Sequence, residues 1–268
     1  GFSSITIGDS SGTGDIDVNT ATFLDPVTIA GGTIHDATSG TDITAPSITL
    51  NGNVAPGQSA GILEVIGDFA LADDATFEIE IGGTTPGTGS SNHDQLSVTS
   101  GDVTIGNSVT LNLLDLNGFS DSLVVGDQFT IVDVESSDKT VNGEFDGLSE
   151  GSFIVDFLGT NLVAIISYAG GTDNNDVVLT TGELITFSLA STPTLSEEAE
   201  ETATFTLTLG AGNLTAGNTA SVSIASSGTA MSGVDYENFV SAIADSADST
   251  AGVSFESISG TLTFDSGF

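Results

Sequence analysis

Thr76-Phe77-Glu78-Ile79-Glu80-Ile81 alternates strictly: Phe77, Ile79 and Ile81 fall on one side of an extended chain, and Thr76, Glu78 and Glu80 on the other. A period of two with aromatic and β-branched residues on the apolar side is the pattern of a strand that buries one face. Phe77, Ile79 and Ile81 are therefore expected inside. The reading extends to Ile5/Ile7, Ile48/Leu50, Leu63/Val65, Val109/Leu111/Leu113, Phe129/Ile131, Phe153/Val155/Phe157 and Val163/Ile165. Helical periodicity is weak throughout. Its best instance, Ser196 to Glu201, is short and is followed at once by alternation.

Through roughly residue 181 the strands are short and are punctuated by Asn51-Gly52, Gly67-Asp68, Gly82-Gly83, Gly101-Asp102 and Asn142-Gly143. A right-handed parallel β-helix uses such strands, one layer per turn, and buries their inward residues in a continuous core; it explains the pattern better than a sandwich does. After Gly182 the alternating runs lengthen: Leu184 to Leu189, Thr202 to Leu209, Ala220 to Ala225, Val253 to Ile258 and Gly260 to Phe264. Longer antiparallel strands with polar outer faces suit a β-sandwich. The expected fold is all-β: a parallel β-helix over residues 1–181 and a β-sandwich over 182–268, with the boundary at Thr180 to Glu183.

Thirty-seven acids face one Lys and no Arg among 268 residues, a formal charge of −36, while 38% of residues are apolar. Nucleic acid or an anionic membrane would require clustered cations, so neither is an expected partner. The apolar fraction is too high for a solvated acidic tail. No run of about 18 apolar residues is present to span a bilayer. The absence of Cys removes disulfides and thiolate metal sites. The acids are spread over the whole chain, so self-repulsion is expected to weaken the fold at low ionic strength, and salt or divalent cations to relieve it. A saline, extracellular setting is the expectation. The chain reads as a segment cut from something longer.

Gly57-Gln58-Ser59-Ala60-Gly61 matches a nucleophile-elbow pattern, but no helical pattern follows Ser59, and a turn is the expected reading. His35 and His93 are too few for most zinc sites and are expected as solvated turn residues. Lyase chemistry on a β-helix commonly uses Arg or Lys, and only Lys139 is available. Glycoside hydrolysis needs just two carboxylates, yet no cluster of aromatic and acidic residues stands out. Gly170-Gly171-Thr172-Asp173-Asn174-Asn175-Asp176 is similar to a degenerate calcium-binding nonapeptide. It makes Asp173 and Asp176 candidate calcium ligands, beside the plainer reading of a capped turn.

Two stretches resemble known families. Ala55-Pro56-Gly57-Gln58-Ser59-Ala60-Gly61-Ile62-Leu63, His93-Asp94-Gln95-Leu96-Ser97-Val98, Gly126-Asp127-Gln128-Phe129-Thr130-Ile131-Val132, Val141-Asn142-Gly143-Glu144-Phe145 and Ser167-Tyr168-Ala169-Gly170-Gly171 follow one another as in the passenger-associated region of bacterial autotransporters and haemagglutinin-like adhesins. That resemblance implies a parallel β-helix on a secreted, surface-displayed protein. Leu195-Ser196-Glu197-Glu198, Gly228-Thr229-Ala230-Met231-Ser232-Gly233-Val234-Asp235-Tyr236-Glu237 and Gly260-Thr261-Leu262-Thr263-Phe264 resemble a Calx-beta domain, here incomplete. The second resemblance implies an immunoglobulin-like sandwich over 182–268 and calcium ligation by Glu197 or Glu198 and by Asp235, without the later acidic cluster of that family.

These readings lead to one expected function: a non-enzymatic structural segment of a large bacterial surface protein, an adhesin, filament or surface layer, of Gram-negative and saline origin and stabilised by calcium. Its expected partners are other copies of itself or adjoining domains, one of which would cover the open edge of the sandwich. The alternatives are a polysaccharide-binding module on a β-helix scaffold, marked by an exposed aromatic row, and a glycoside hydrolase.

Overall fold

The computed structural model describes residues 1–36, 41–57, 60–191, 204–210, 214, 217–227, 229, 231 and 239–268. The chain is all-β, with 51% of the described residues in strands and 7% in helix. It divides into two compact units, Gly1–Gly182 and Glu183–Phe268.

In the first unit the apolar sides of the strands line up in three parallel ladders. The first joins β1 (Ile5–Gly8), the start of β4 (Val27–Asp36), the middle of β5 (Thr41–Ala55), the end of β6 (Ile62–Leu71), β9 (Val103–Ile105) and β12 (Val141–Asn142), and it stacks Ile5, Val27, Ile48, Phe69, Val103 and Val141 in register. The second joins β2 (Ile16–Val18), the ends of β4 and β5, β7 (Thr76–Ile81) and β10 (Thr110–Asp115), stacking Ile16, Ile34, Val54, Phe77 and Leu111. The third joins β3 (Ala21–Thr22), the starts of β5 and β6, β8 (Gln95–Val98) and β11 (Gln128–Val134), stacking Ala21, Ile43, Val65, Val98 and Val134. The chain visits the three ladders in that order and then begins again. Ile34, Ile43, Ile48, Val54, Val65, Phe77, Val98 and Val103 are wholly buried. Each such side chain stabilises the fold by roughly 1.5–3 kcal/mol relative to exposure.

Successive entries into the first ladder, at Ile5, Val27, Ile48, Phe69, Val103 and Val141, are 22, 21, 21, 34 and 38 residues apart. The third ladder continues past β11 through β15 (Asp176–Glu183), β14 (Leu162–Gly170) and β13 (Phe153–Ile154), with β11 and β15 antiparallel.

Gly67 marks the corner inside β6 where the chain passes from the third ladder to the first. Its φ is 128°, and a Cβ there would lie 1.8 Å from the carbonyl oxygen of Ala45 on the adjacent strand. Gly67→Ala is therefore expected to destabilise the first unit by at least ~2 kcal/mol, from backbone strain and the forced separation of stacked strands. A thermal melt checks this, and an unchanged midpoint would mean that the corner relaxes freely.

Three local expectations are corrected. Phe153 and Val155 are 61% and 58% exposed, and of that run only Phe157 is buried. Alternation breaks there because Asp156 and Leu158 adopt left-handed conformations (φ 56° and 51°). Leu111 and Leu113 are half-buried against the core, since β10 is the last strand of its ladder. A helix, α1 (Phe239–Asp248), stands where no helical signal was expected. Phe239, Ile243 and Ala247 recur at helical spacing in an Ala-rich stretch, and Ala247 is buried. Ser196 to Glu201 lies outside the described residues.

The second unit pairs β16 (Thr186–Ser191) with β17 (Phe205–Gly210), both antiparallel, and places β20 (Thr261–Asp265) between β18 (Thr219–Ser223) and β19 (Val253–Glu256), also antiparallel. Its small core gathers Leu262, Phe264 and Ala247, with Phe187 5.6 Å from Phe264 between ring centres.

Candidate functional site

Of the expected calcium ligands, Glu197, Glu198 and Asp235 lie outside the described residues, as does Ser59 of the elbow-like pattern. Asp173 lies in the connection between β14 and β15, where Gly171 and Asn174 supply positive φ (72° and 60°), and Asp176 closes it as the first residue of β15. Asp173 is exposed, whereas Asp176 turns inward and accepts the Val134 N–H through Oδ1 at 2.9 Å. Burial raises the Asp176 carboxyl, the Val134 N–H offsets part of this, and the charge of Asp173 adds to the rise.

Asn175, between them, is 4% exposed and donates through Nδ2 to the carbonyls of Val134, Ser136 and Lys139 at 3.0, 3.0 and 3.2 Å. The connection is thus sewn to the end of β11 by neighbouring side chains. It presents two carboxylates, one already engaged, where calcium takes 6–8 oxygens. Among the described residues no three His, Cys, Asp or Glu side chains converge as metal ligands.

His93 corrects the expectation of a solvated turn. It is wholly buried, edge-on to Phe129 at 5.5 Å, with Nδ1 3.0 Å from the Gly83 carbonyl and Nε2 3.3 Å from that of Thr130. Both ring nitrogens face carbonyl oxygens, which only accept, so the neutral ring can donate to one of them: Nδ1–H to Gly83 is the shorter contact, while the Thr130 oxygen accepts from Gln95 Nε2 at 2.9 Å. Burial lowers the pKa of the ring. His35 is likewise not a free turn residue: it lies in β4 with Nε2 2.5 Å from Asp17 Oδ1.

Asp94 is also 0% exposed, and its two oxygens accept the N–H groups of Gly61 (2.6 Å) and Glu80 (2.7 Å). Burial pushes its carboxyl up to about 7; the two N–H bonds act against this, and the charges of Glu80 and Glu78 add to it. Glu80 Oε2 accepts the Ala60 N–H at 3.0 Å, so both described N–H groups just after Ser59 are held by acids. Asp42, 1% exposed, accepts the Glu64 N–H at 2.9 Å, and burial beside Asp36 and Glu64 raises its carboxyl well above the usual range.

The same use of acids recurs at the surface. Asp68, Asp73 and Asp102 accept the N–H groups of Asp102, Asn107 and Thr140 at 3.1, 2.8 and 2.9 Å, each one repeat further along the chain. Glu150 accepts from Tyr168 N at 2.6 Å. Carboxylate-to-amide bonds of this kind contribute about 1.5–3 kcal/mol where water is excluded. They fasten strand to strand in a chain whose Lys139 pairs with Asp102 at 3.8 Å. Sequence reading passed over this role because each bond joins residues from 14 to 42 positions apart.

A shallow groove of about 370 Å³ lies between β10 and residues 154–159. Asp115 and Asp156 are both on its walls, but the two Asp115 oxygens accept the N–H and Oγ–H of Ser120 at 3.0 and 2.7 Å. Among the described residues no helix is long and apolar enough to cross a membrane. Comparison with protein-family models, with curated proteins and with solved structures finds no match for this chain.

Proposed function

We propose that the chain is a non-enzymatic structural segment of a large secreted bacterial cell-surface protein: an adhesin, an extracellular filament or a surface layer. Residues 1–181 form a right-handed parallel β-helix acting as a stiff spacer, and residues 182–268 a Calx-beta-like sandwich acting as a joint or contact module. One observation carries the reading. The buried acids Asp42, Asp94 and Asp176, each raised by burial, all accept backbone N–H groups from other strands or their flanks, so these carboxyls act as fasteners of a stacked core. The ordered succession of three parallel ladders supports the β-helix, because only a chain that winds repeatedly in one sense re-enters each ladder in turn.

The −36 charge supports a saline setting, and calcium is the proposed stabiliser, with Asp173 and Asp176 as candidate ligands in the first unit and, separately, Glu197 or Glu198 and Asp235 in the second. The polysaccharide alternative draws on an exposed aromatic row; the alternating outward column of the first ladder, Thr6, Thr28, Thr49, Ala70 and Thr104, is aliphatic and hydroxylic instead.

Thermal melting tests the electrostatic part. The midpoint is expected to be lowest in low-salt buffer with a chelator, partly restored by sodium chloride and more fully by calcium chloride at matched ionic strength. Equal restoration by the two salts would reduce calcium to a screening ion. Incubation with soluble polysaccharides tests the non-enzymatic part, with no release of reducing ends expected. Release that disappears in Asp115→Ala and Asp156→Ala variants would turn the reading toward a hydrolase.

A further inference from the structure

We propose that the outer edge of β10 docks an extended, basic peptide segment of a partner protein as an added strand. The geometry starts from the one-sided pairing of β10. Thr110 and Leu116 donate their N–H groups to Ala75 and Ile81 of the β7 side at 2.9 Å each, so in an extended chain the amide and carbonyl groups of Leu111, Leu113 and Asp115 point away from β7. In that outward row the Val109 carbonyl is taken by Asp146 N–H at 2.8 Å, after which the two segments part. Among the described residues nothing pairs with the backbone of Leu111, Leu113 or Asp115.

The far wall of the groove is residues 154–159, and its shape is locked. Asp156 and Leu158 hold left-handed conformations, Gly159 N bonds to Asp156 O at 2.9 Å, and Phe157 is anchored in the core 5.8 Å from the Phe129 ring. The floor is formed by Leu111 and Leu113, half-buried above the wholly buried Phe77 and Ile79 with which they are in register. A strand laid here would continue both columns with alternate apolar side chains and satisfy the open edge. From Leu111 to Asp115 the edge runs roughly 13 Å, enough for about five peptide residues.

Charge selects the occupant. Asp115 and Asp156 line the groove, and no basic side chain does. A second copy would bring a further −36, with only Lys139 as a cation, and that Lys is paired with Asp102. A segment alternating Val with Lys matches both the edge and its field. This inference does not depend on whether the parent protein is an adhesin, filament or surface layer.

The test uses the full chain and the labelled peptide Lys-Val-Lys-Val-Thr-Val-Lys, followed by fluorescence anisotropy and by hydrogen exchange. Expected are saturable binding, slowed exchange at the amides of Leu111, Leu113 and Asp115, and at least tenfold weaker binding of a peptide N-methylated at alternate residues. Asp156→Asn, which keeps a residue suited to left-handed backbone, is expected to weaken binding several-fold and to flatten its salt dependence. The proposal is overturned if the N-methylated peptide binds equally well, if neither peptide binds, or if protection falls elsewhere. Self-association of the chain through this edge, seen by sedimentation, would also overturn it by making a second copy the occupant.

Discussion

An Ile79→Asp variant loses the cooperative melting transition of the first unit under conditions where the parent chain is folded. Ile79 is 0% exposed in β7, in register with Leu113 and part of the main apolar core. An aspartate there places a carboxylate in a dry environment with no cation to meet it, since Lys139 belongs to the Asp102 pair. Protonation avoids the charge but still leaves a polar group unpaired and removes the buried isoleucine. The combined penalty is several kcal/mol, a large fraction of the 5–15 kcal/mol typical of a folded domain. Ile79→Val, which removes one methylene, is expected to lower stability by only about 0.5–1.5 kcal/mol. Indistinguishable melts for Ile79→Asp and the parent would show that this side of β7 does not face the core.

The second large effect is a stability maximum on the acid side of neutrality. Asp94 titrates near 3.8 when unfolded and near 7 when folded, so folding favours its protonated form. The stabilisation is complete below the unfolded value and is lost as pH rises through the folded one. By linkage this amounts to on the order of 4 kcal/mol between pH 4 and pH 8. Asp42 and Asp176, also raised by burial, change stability in the same sense. The melting midpoint is therefore expected to climb as pH falls from 8 to 5. In Asp94→Asn the slope flattens, and stability at pH 5 drops by about 1–3 kcal/mol, because the amide can accept from Gly61 or Glu80 but turns an NH₂ group toward the other N–H. A midpoint rising with pH over this range would contradict the buried, protonated assignment.

Alternation over a few residues was enough to place Phe77, Ile79, Leu50, Val65 and Phe129 inside, because burial of one strand face is written locally in a period of two. The five runs after Gly182 likewise coincide with five strands. Which strands stack on which was not local information. Ile48 meets Val27 and Phe69 only because the chain closes a repeat of 21 residues on either side. The site residues show the same division. Asp173 and Asp176 were recognisable from the Gly and Asn around them, but the inward turn of Asp176 depends on Val134, 42 positions away. His93 and Asp94 resemble an ordinary polar turn in sequence, and their burial follows from carbonyl and amide partners supplied by Gly83, Thr130, Gly61 and Glu80. Phe153 and Val155 failed for the opposite reason: the local pattern was clear, and left-handed residues immediately after them redirected the chain.

The unequal repeats of the three ladders have a consequence under tension. Hydrogen bonds between stacked strands lie along the stacking direction, so a chain pulled from one end peels away one repeat at a time rather than shearing as a block. At ~3.4 Å per extended residue, each repeat of 21 or 22 residues releases about 70 Å of slack, and the repeats of 34 and 38 residues release roughly 115 and 130 Å. A force trace of the first unit would therefore carry short steps of about 70 Å and longer ones of roughly 115 and 130 Å, and their order would reveal from which end the molecule was being undone.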